Sequence, residues 1–174
     1  MTSAVSVAKS RLIEAGIATR DSIQGCREEQ IACIESWLSV RLPRAYRDFL
    51  AEMGLDAGDF LVGFDWVFDE VLWFRKSAEN FIAHCESDFA LWGTDYVFFF
   101  NPGCGFLYFD CEAGEDPPVF DFSDSEGDQP RKVFDSFSDW LLAAVEDQIA
   151  IRRQREALGQ ELRKRELRRR QGEQ

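Results

Sequence analysis

The middle of the chain lacks positive charge. No lysine or arginine occurs between Lys76 and Arg131, and His84 is the only histidine. A nucleophilic cysteine or serine needs a base or a positive charge beside it, so this scarcity disfavours nucleophilic catalysis. The motifs GxSxG, GK[ST] and DxDxDG are also absent. We therefore predict a protein that is not an enzyme and that has no catalytic residues, no cofactor and no metal site.

Paired cysteines are also lacking. The five cysteines form no CxxC pair, and their number is odd: Cys26, Cys33, Cys85, Cys104 and Cys111. This pattern fits neither a disulfide framework nor a zinc knuckle. We expect free and mostly buried thiols in a reducing cytoplasm.

Long apolar runs are missing, although the chain is 45% hydrophobic and has sixteen phenylalanines and five tryptophans. No run approaches the roughly 20 residues that a membrane-spanning helix needs. The N-terminal stretch MTSAVSVAKSRLIEAG does not have the apolar core of a secretory signal. We expect a soluble, cytoplasmic protein with a large core and no membrane partner.

Charge is divided unevenly along the chain. Residues 1–151 contain eleven Lys or Arg against twenty-eight Asp or Glu, a net charge of −17, whereas residues 152–174 contain nine against four, a net charge of +5. An acidic body of this kind repels nucleic acid and anionic membranes. Its expected charged partner is a basic protein. The tail could pack on the acidic body of its own or a neighbouring chain, which leaves a homodimer open.

The stretch NPGCGFLYFD, residues 101–110, invites three interpretations. A phosphate-binding loop would lead into a helix, but here the glycines lead into the strand-like sequence FLYF. A reactive Cys104 would need positive groups that the neighbouring sequence does not supply. Asn-Pro-Gly is a typical turn composition, and Gly105 suits a positive φ at the end of a hairpin loop. We therefore predict a turn between two strands.

Apolar residues at helical spacing predict a modest helix over residues 2–18 and stronger helices from Glu28, from Pro43 and over residues 136–149. Their predicted core stripes are Ile31, Ile34, Trp37 and Leu38; Tyr46, Phe49, Leu50 and Met53; and Phe137, Trp140, Leu141 and Val145.

Aromatic and β-branched residues predict strands at 60–68, 70–74, 96–100, 106–110 and 119–122, with a short helix over 77–85. Short, turn-rich connections favour an antiparallel meander. The order of helices, then strands, then a helix predicts an α+β fold, in which N-terminal helices and a closing C-terminal helix pack on a curved, mainly antiparallel sheet. We expect one domain over residues 1–150 and a basic tail, helical or frayed, over 151–174.

Three stretches carry a recognisable order of residues. The first is EEQIACIESWLSVRLPRAYRDFLAEMG, with the positions Ile34, Glu35, Leu42, Pro43, Tyr46, Phe49, Leu50 and Gly54. The second is GCGFLYFD followed by PVFDF, with the positions Gly103, Gly105, Tyr108, Asp110 and Val119. The third is SFSDWLLAAV, with the positions Phe137, Trp140 and Leu141.

In these stretches, over about residues 24–147, the chain resembles the SUKH superfamily, which includes the Smi/Knr-like cell-wall-assembly regulators and many bacterial toxin-immunity proteins. Phe106 departs from the family pattern, which more often has a small polar or acidic residue there. The resemblance implies an α+β domain that binds and does not catalyse. It implies no shared catalytic residues.

The resemblance and the acidic body together favour a bacterial immunity protein that binds and neutralises a cognate polymorphic toxin of nuclease or deaminase type. The alternative is a regulatory scaffold or chaperone-like module with an endogenous protein partner. Residues 110–128 contain eight acidic and no basic residues. Within this stretch we predict an acidic rim that contacts the partner: Glu112, Glu115, Asp116, Asp124, Glu126 and Asp128.

Overall fold

The computed structural model describes residues 3–62, 71–124 and 129–172. Its helices are α1 (Ala4–Glu14), α2 (Glu28–Leu38), α3 (Arg44–Met53), α4 (Val71–His84) and α5 (Phe137–Gly172). Its strands are β1 (Ile23–Gln24), β2 (Asp56–Ala57), β3 (Asp95–Asn101), β4 (Gly105–Asp110), β5 (Val119–Ser123) and β6 (Arg131–Phe134).

The main sheet is an antiparallel meander in the order β3-β4-β5-β6. Asp95 lies opposite Asp110 at one end of the β3–β4 pair, and the register shifts between Val97 and Phe99. Among the described strands, β3 and β6 form the two edges of this sheet, and helices precede and follow it along the chain. The predicted α+β class, the meander and the strands over 96–100, 106–110 and 119–122 are confirmed.

Aromatic rings from three elements meet at the centre of the core. The ring of Tyr46 on α3 lies 5.4 Å from that of Phe109 on β4 and 5.3 Å from that of Phe137 on α5. All three side chains are fully buried. Tilted and edge-on contacts at this spacing are favourable, so these rings fix the positions of α3 and α5 on one face of the sheet. The core stripes predicted for α3 and α5 are confirmed.

Helix α4 corrects two predictions. The strand over 70–74 and the helix starting at Ser77 are wrong, because a single helix runs from Val71 to His84. Phe74, Ala78 and Phe81 are buried at helical spacing, and α4 packs against β3. Of the strand predicted over 60–68, residues 60–62 form a turn and the remainder lies outside the described residues.

Two short pairings escaped prediction. Ile23 pairs with Ala57 in a two-residue ladder, and β6 pairs with β5 at the edge of the main sheet. Arg131 and Lys132 give β6 a charged and exposed half, which is unlike the apolar pattern of a core strand.

Helix α5 is continuous over 36 residues. Val145 and Ile149 are buried, whereas the side chains from Ala150 to Arg165 are exposed or half-buried. Residues 153–172 are called the arm below, and Arg155, Gly159 and Arg163 of the arm line a surface groove together with Ile17, Asp59 and Val62. The predicted tail is thus helical as far as Gly172. None of the helices in the described ranges is both long enough and apolar enough to cross a membrane.

Candidate protein-binding surface

The acidic positions predicted as a rim lie at two ends of β5. Glu112, Glu115 and Asp116 belong to the loop between β4 and β5, whereas Asp124 directly follows β5. Five strand residues, about 16 Å, separate the two ends. Glu126 and Asp128 lie outside the described residues. The structure therefore does not bring the four described carboxylates into one patch, and their part in binding stays a prediction.

Two of these acidic residues hold helix N-termini. Oε2 of Glu115 accepts a hydrogen bond from the backbone N–H of Arg44 at 3.2 Å, and its carbonyl oxygen accepts one from Ala45 at 2.9 Å. Oδ1 of Asp116 accepts a hydrogen bond from the backbone N–H of Ser138 at 3.0 Å. The first N–H groups of a helix have no partner within the helix, and the helix dipole favours an anion there. Glu115 and Asp116 thus link the β4–β5 loop to α3 and α5.

The stretch NPGCG forms the predicted turn between β3 and β4. The backbone N–H of Cys104 donates to the carbonyl of Asn101 at 3.0 Å, and Gly103 has a φ of +79°. Pro102 at the second position and a positive φ at the third are the features of a type II turn. Gly105 has a φ of +148°, as its position in the hairpin predicted. Cys104 is exposed on this turn.

The remaining candidates for chemistry are scattered. His84 is exposed at the end of α4. All five cysteines are free, as predicted, but only Cys26 is fully buried, and Cys33 and Cys104 are exposed. The expectation of mostly buried thiols is therefore wrong. Within residues 3–62, 71–124 and 129–172, no group of three or more His, Cys, Asp or Glu side chains could hold a metal ion.

A surface groove runs between the α2–α3 connection and the β3 edge of the sheet. Its first part is a cleft of about 200 Å³, bordered by Trp37, Val40, Arg75, Gly93 and Asp95 among others. Its second part, of about 310 Å³, also includes Val40 and continues past Thr94 and Cys111 to Glu112 and Glu115. We call these two parts together the Trp37 groove. It joins an exposed aromatic side chain to one end of the predicted acidic rim.

Arg75 fixes the backbone beside this groove. Its Nη1 donates to the carbonyl oxygens of Trp92 at 2.9 Å and Asp95 at 3.1 Å, and its Nη2 donates to that of Leu91 at 3.1 Å. Its Nε lies 3.2 Å from Oε1 of Glu79. A further hydrogen bond lies within this loop: Oδ2 of Asp95 accepts it from the backbone N–H of Trp92 at 2.7 Å. These bonds hold residues 91–95 in a defined loop.

Both charge signs line the groove, Asp95, Glu112 and Glu115 against Arg41 and Arg75, and burial and carboxylates shift two pKa values there. Burial raises the pKa of the Asp95 carboxyl above its usual range, and the charge of Asp110 raises it further, against the hydrogen bond from Trp92 and the charge of Arg75. Burial, followed by the charges of four carboxylates, raises the pKa of the Cys111 thiol to about 12. Those carboxylates are Asp110, Asp95, Glu35 and Glu112.

Exposed tryptophans are the feature that sequence reasoning missed. Trp37 was predicted to pack in the core, which is wrong, because it is 60% exposed. Trp92, next to Gly93 of the groove, is 77% exposed, and Trp73 on α4 is 69% exposed. In α2 the buried residues are Ile31 and Ile34, and the helical period places Trp37 at the border of that stripe. Large aromatic side chains on a surface are typical of protein interfaces.

Comparison with models of protein families gives a match. Residues 25–143, more than half of the chain, match the sequence model of the SMI1 / KNR4 family (SUKH-1). In a search of curated proteins, none matches the chain. The matched range begins just before α2 and ends inside α5, so it contains the Trp37 groove and the β4–β5 loop. The chain belongs to the SMI1 / KNR4 family (SUKH-1).

Proposed function

We propose that the protein is a non-enzymatic, immunity-type binding protein that neutralises a basic toxin domain of nuclease or nucleic-acid deaminase type. The observation that carries the proposal is the Trp37 groove, which combines an exposed indole with carboxylates in a body of net charge −17. Membership of a family that includes immunity proteins supports the same function.

Long-range charge attraction raises the association rate of the proposed complex. Nucleases and nucleic-acid deaminases bind polyanions, so the surface around their active sites is basic. An acidic protein is steered to that surface by long-range attraction and competes there with the nucleic acid. Attraction between exposed charges is screened over about 8 Å at physiological salt. The association rate should therefore fall steeply as salt is added, whereas apolar contacts of Trp37 should depend much less on salt.

The decisive test is co-expression with a toxin domain encoded beside the gene for this chain. We expect growth to be rescued and the two proteins to purify as a complex. A toxin that kills cells in the presence of this protein, and that does not purify with it, would exclude immunity to that toxin.

The acidic rim can be tested at its two ends separately. Glu112→Lys probes the end at the Trp37 groove, and Asp124→Lys probes the opposite end of β5. Glu115 and Asp116 are unsuitable for charge reversal, since they cap helices and their loss would change folding as well as binding. We expect each reversal to lower the association rate at low salt and to have little effect at high salt. If neither variant changes the rate at low salt, the rim has no part in binding.

A second candidate function is a regulatory scaffold with an endogenous protein partner. The observation that favours it is the exposure of Trp37, Trp73 and Trp92, because aromatic anchors also serve apolar interfaces. Such a complex would form at a rate that is nearly independent of salt. A partner isolated from the native cell whose binding survives both charge reversals but is lost with Trp37→Ala would support this function over immunity.

A further inference from the structure

The first part of the Trp37 groove has the size of a single side chain. Its volume of about 200 Å³ is below the range of roughly 300–1,000 Å³ that is usual for small-molecule sites. It is also open to solvent along Trp37, whose side chain is 60% exposed. A side chain presented by another protein can therefore enter it, whereas a cofactor-sized ligand would not be enclosed.

The residues that line this cleft suit a planar cation such as a guanidinium group. Trp37 lines the cleft, and an exposed indole is a group on which a guanidinium can stack with both dispersion and cation–π attraction. Asp95 offers a carboxylate that is held in place, since its Oδ2 accepts from the backbone N–H of Trp92 at 2.7 Å. A partly desolvated carboxylate gains more from an added cation than an exposed one does. Val40 and Val97 complete an apolar lining for the stem of the side chain.

The charges around the cleft leave room for such a cation. Arg75 lines the cleft, but its guanidinium donates to three main-chain carbonyls and pairs with Glu79. Lys76 lies 3.8 Å from the same Glu79 and is largely exposed. Asp95 lies opposite Asp110 across the β3–β4 pair, and the charge of Asp110 disfavours the ionised form of Asp95. A third positive group beside Asp95 would relieve this repulsion.

We propose that the cleft between Trp37 and Asp95 is a receptor for one arginine side chain of the partner protein, its guanidinium stacked on the indole and paired with the carboxylate. The inference rests on the proposed function only for the kind of protein that presents the arginine. The cleft itself can be tested without that protein.

The test uses the full chain labelled with ¹⁵N and N-acetyl-arginine amide as the probe. Titration should move the indole N–H signal of Trp37 and the amide signals of Gly93 and Asp95 in a saturable way. N-acetyl-citrulline amide has nearly the same shape but no charge, and it should leave these signals in place. N-acetyl-lysine amide should bind more weakly than the arginine probe, because an ammonium does not stack as a planar group.

Two variants and two controls locate the effect. Trp37→Ala and Asp95→Asn should each weaken binding of the arginine probe by about three- to tenfold. Asn retains the acceptor for the N–H of Trp92, so the loop is preserved while the charge is removed. Trp73→Ala removes a tryptophan that is somewhat more exposed than Trp37 and does not border the cleft, and Asp59→Asn removes an exposed carboxylate elsewhere. Both controls should bind the probe as the native chain does.

Several results would overturn the inference. They are equal binding of the citrulline and arginine probes, equal binding of the lysine probe, signal changes outside the cleft, and unchanged affinity in Trp37→Ala or Asp95→Asn. A saturable arginine site with no rescue in the co-expression assay would retain the receptor and reject the proposed immunity function. Rescue without an arginine site would do the reverse.

Discussion

The carboxylate of Glu115 lies 3.2 Å from the backbone nitrogen of Arg44, which is 71 residues away along the chain. The β4–β5 loop thereby supplies the cap that Pro43, the residue before α3, does not provide through a side-chain hydrogen bond. Two neighbouring acidic residues thus accept hydrogen bonds from helix N-termini, Glu115 at α3 and Asp116 at α5. The exposed, acidic β4–β5 loop therefore also connects the N-terminus of α3 with that of α5.

Glu115→Ala should lower the free energy of unfolding by about 1 kcal/mol, the usual loss when a capping side chain is removed. Urea denaturation followed by circular dichroism measures it. Glu112→Ala is the matched control, since Glu112 is an exposed residue of the same loop, and we expect a change within about 0.5 kcal/mol. Equal midpoints for the two variants would show that the contact with Arg44 contributes nothing to stability.

Gly105→Ala should destabilise the protein by more than about 2 kcal/mol, because two penalties coincide there. Its φ is +148°, and an added Cβ would lie 2.2 Å from the carbonyl oxygen of Phe122. Gly103→Ala isolates the first penalty, since its φ is +79° but nothing lies within 4 Å of an added Cβ, and about 1 kcal/mol is expected. Gly93→Ala lacks both features and should be nearly neutral. Thermal unfolding of the three variants should follow this order, and a Gly105→Ala protein as stable as Gly103→Ala would contradict the clash.

Raising the pH should destabilise the fold through its tyrosines. The chain has only Tyr46, Tyr96 and Tyr108, and burial raises the pKa of each above its ordinary value. The hydroxyls of Tyr46 and Tyr96 lie 3.3 Å apart in the core. Because the unfolded chain ionises near pH 10 and the folded chain does not, their contribution to stability is complete below about pH 10 and is lost as the pH rises further.

Absorbance at 295 nm measures this ionisation directly. The native protein should show no tyrosinate step near pH 10, and the signal should appear together with loss of the circular dichroism of the fold. A tyrosinate step in the folded protein near pH 10 would contradict the burial of these hydroxyls. The protein unfolded in guanidinium chloride serves as the reference, with all three groups titrating near pH 10.

A thiol reagent at pH 8 should divide the cysteines into two classes. Cys33 and Cys104 are exposed and should react first. Burial raises the pKa of Cys26 to about 11, and burial with neighbouring carboxylates raises that of Cys111 to about 12. Cys85 also has a raised pKa, so these three should react slowly. Dithionitrobenzoate counts the fast thiols, and Cys33→Ser and Cys104→Ser should each remove one. A fast class of more than two would contradict the assignment.

The sequence was sufficient where local pattern and tertiary role agree. The aromatic stripe of α3 is fully buried, and the strands β3 to β5 bury most of their large side chains, so local sequence pattern alone identified them. Residues 71–74, Val-Leu-Trp-Phe, have the composition of a strand but lie in α4, where burial of Phe74, Ala78 and Phe81 decides the conformation. Tertiary packing overrode local propensity there.

The candidate site was predictable only at one end. A run of acidic residues identified Glu112 and its neighbours as exposed, but no local pattern shows that Glu115 and Asp116 reach helices at Arg44 and Ser138. The cleft depends on Trp37 from α2 and Asp95 from β3, residues that only the tertiary fold brings together. Helical spacing placed Trp37 in the core because the border of the buried stripe on α2 lies close to its centre. The two differ by less than the rotation about the helix axis between successive residues.

The continuous helix α5 also determines how charge is distributed over the molecule. The arm, residues 153–172, rises about 30 Å along the helix axis, and it places a net positive charge at the C-terminal end of α5 in an otherwise strongly negative protein. Such a separation gives the protein a large permanent dipole moment along α5. The electric field of a highly charged surface will orient the protein before the two come into contact. The first encounters are therefore selected by orientation as well as by charge.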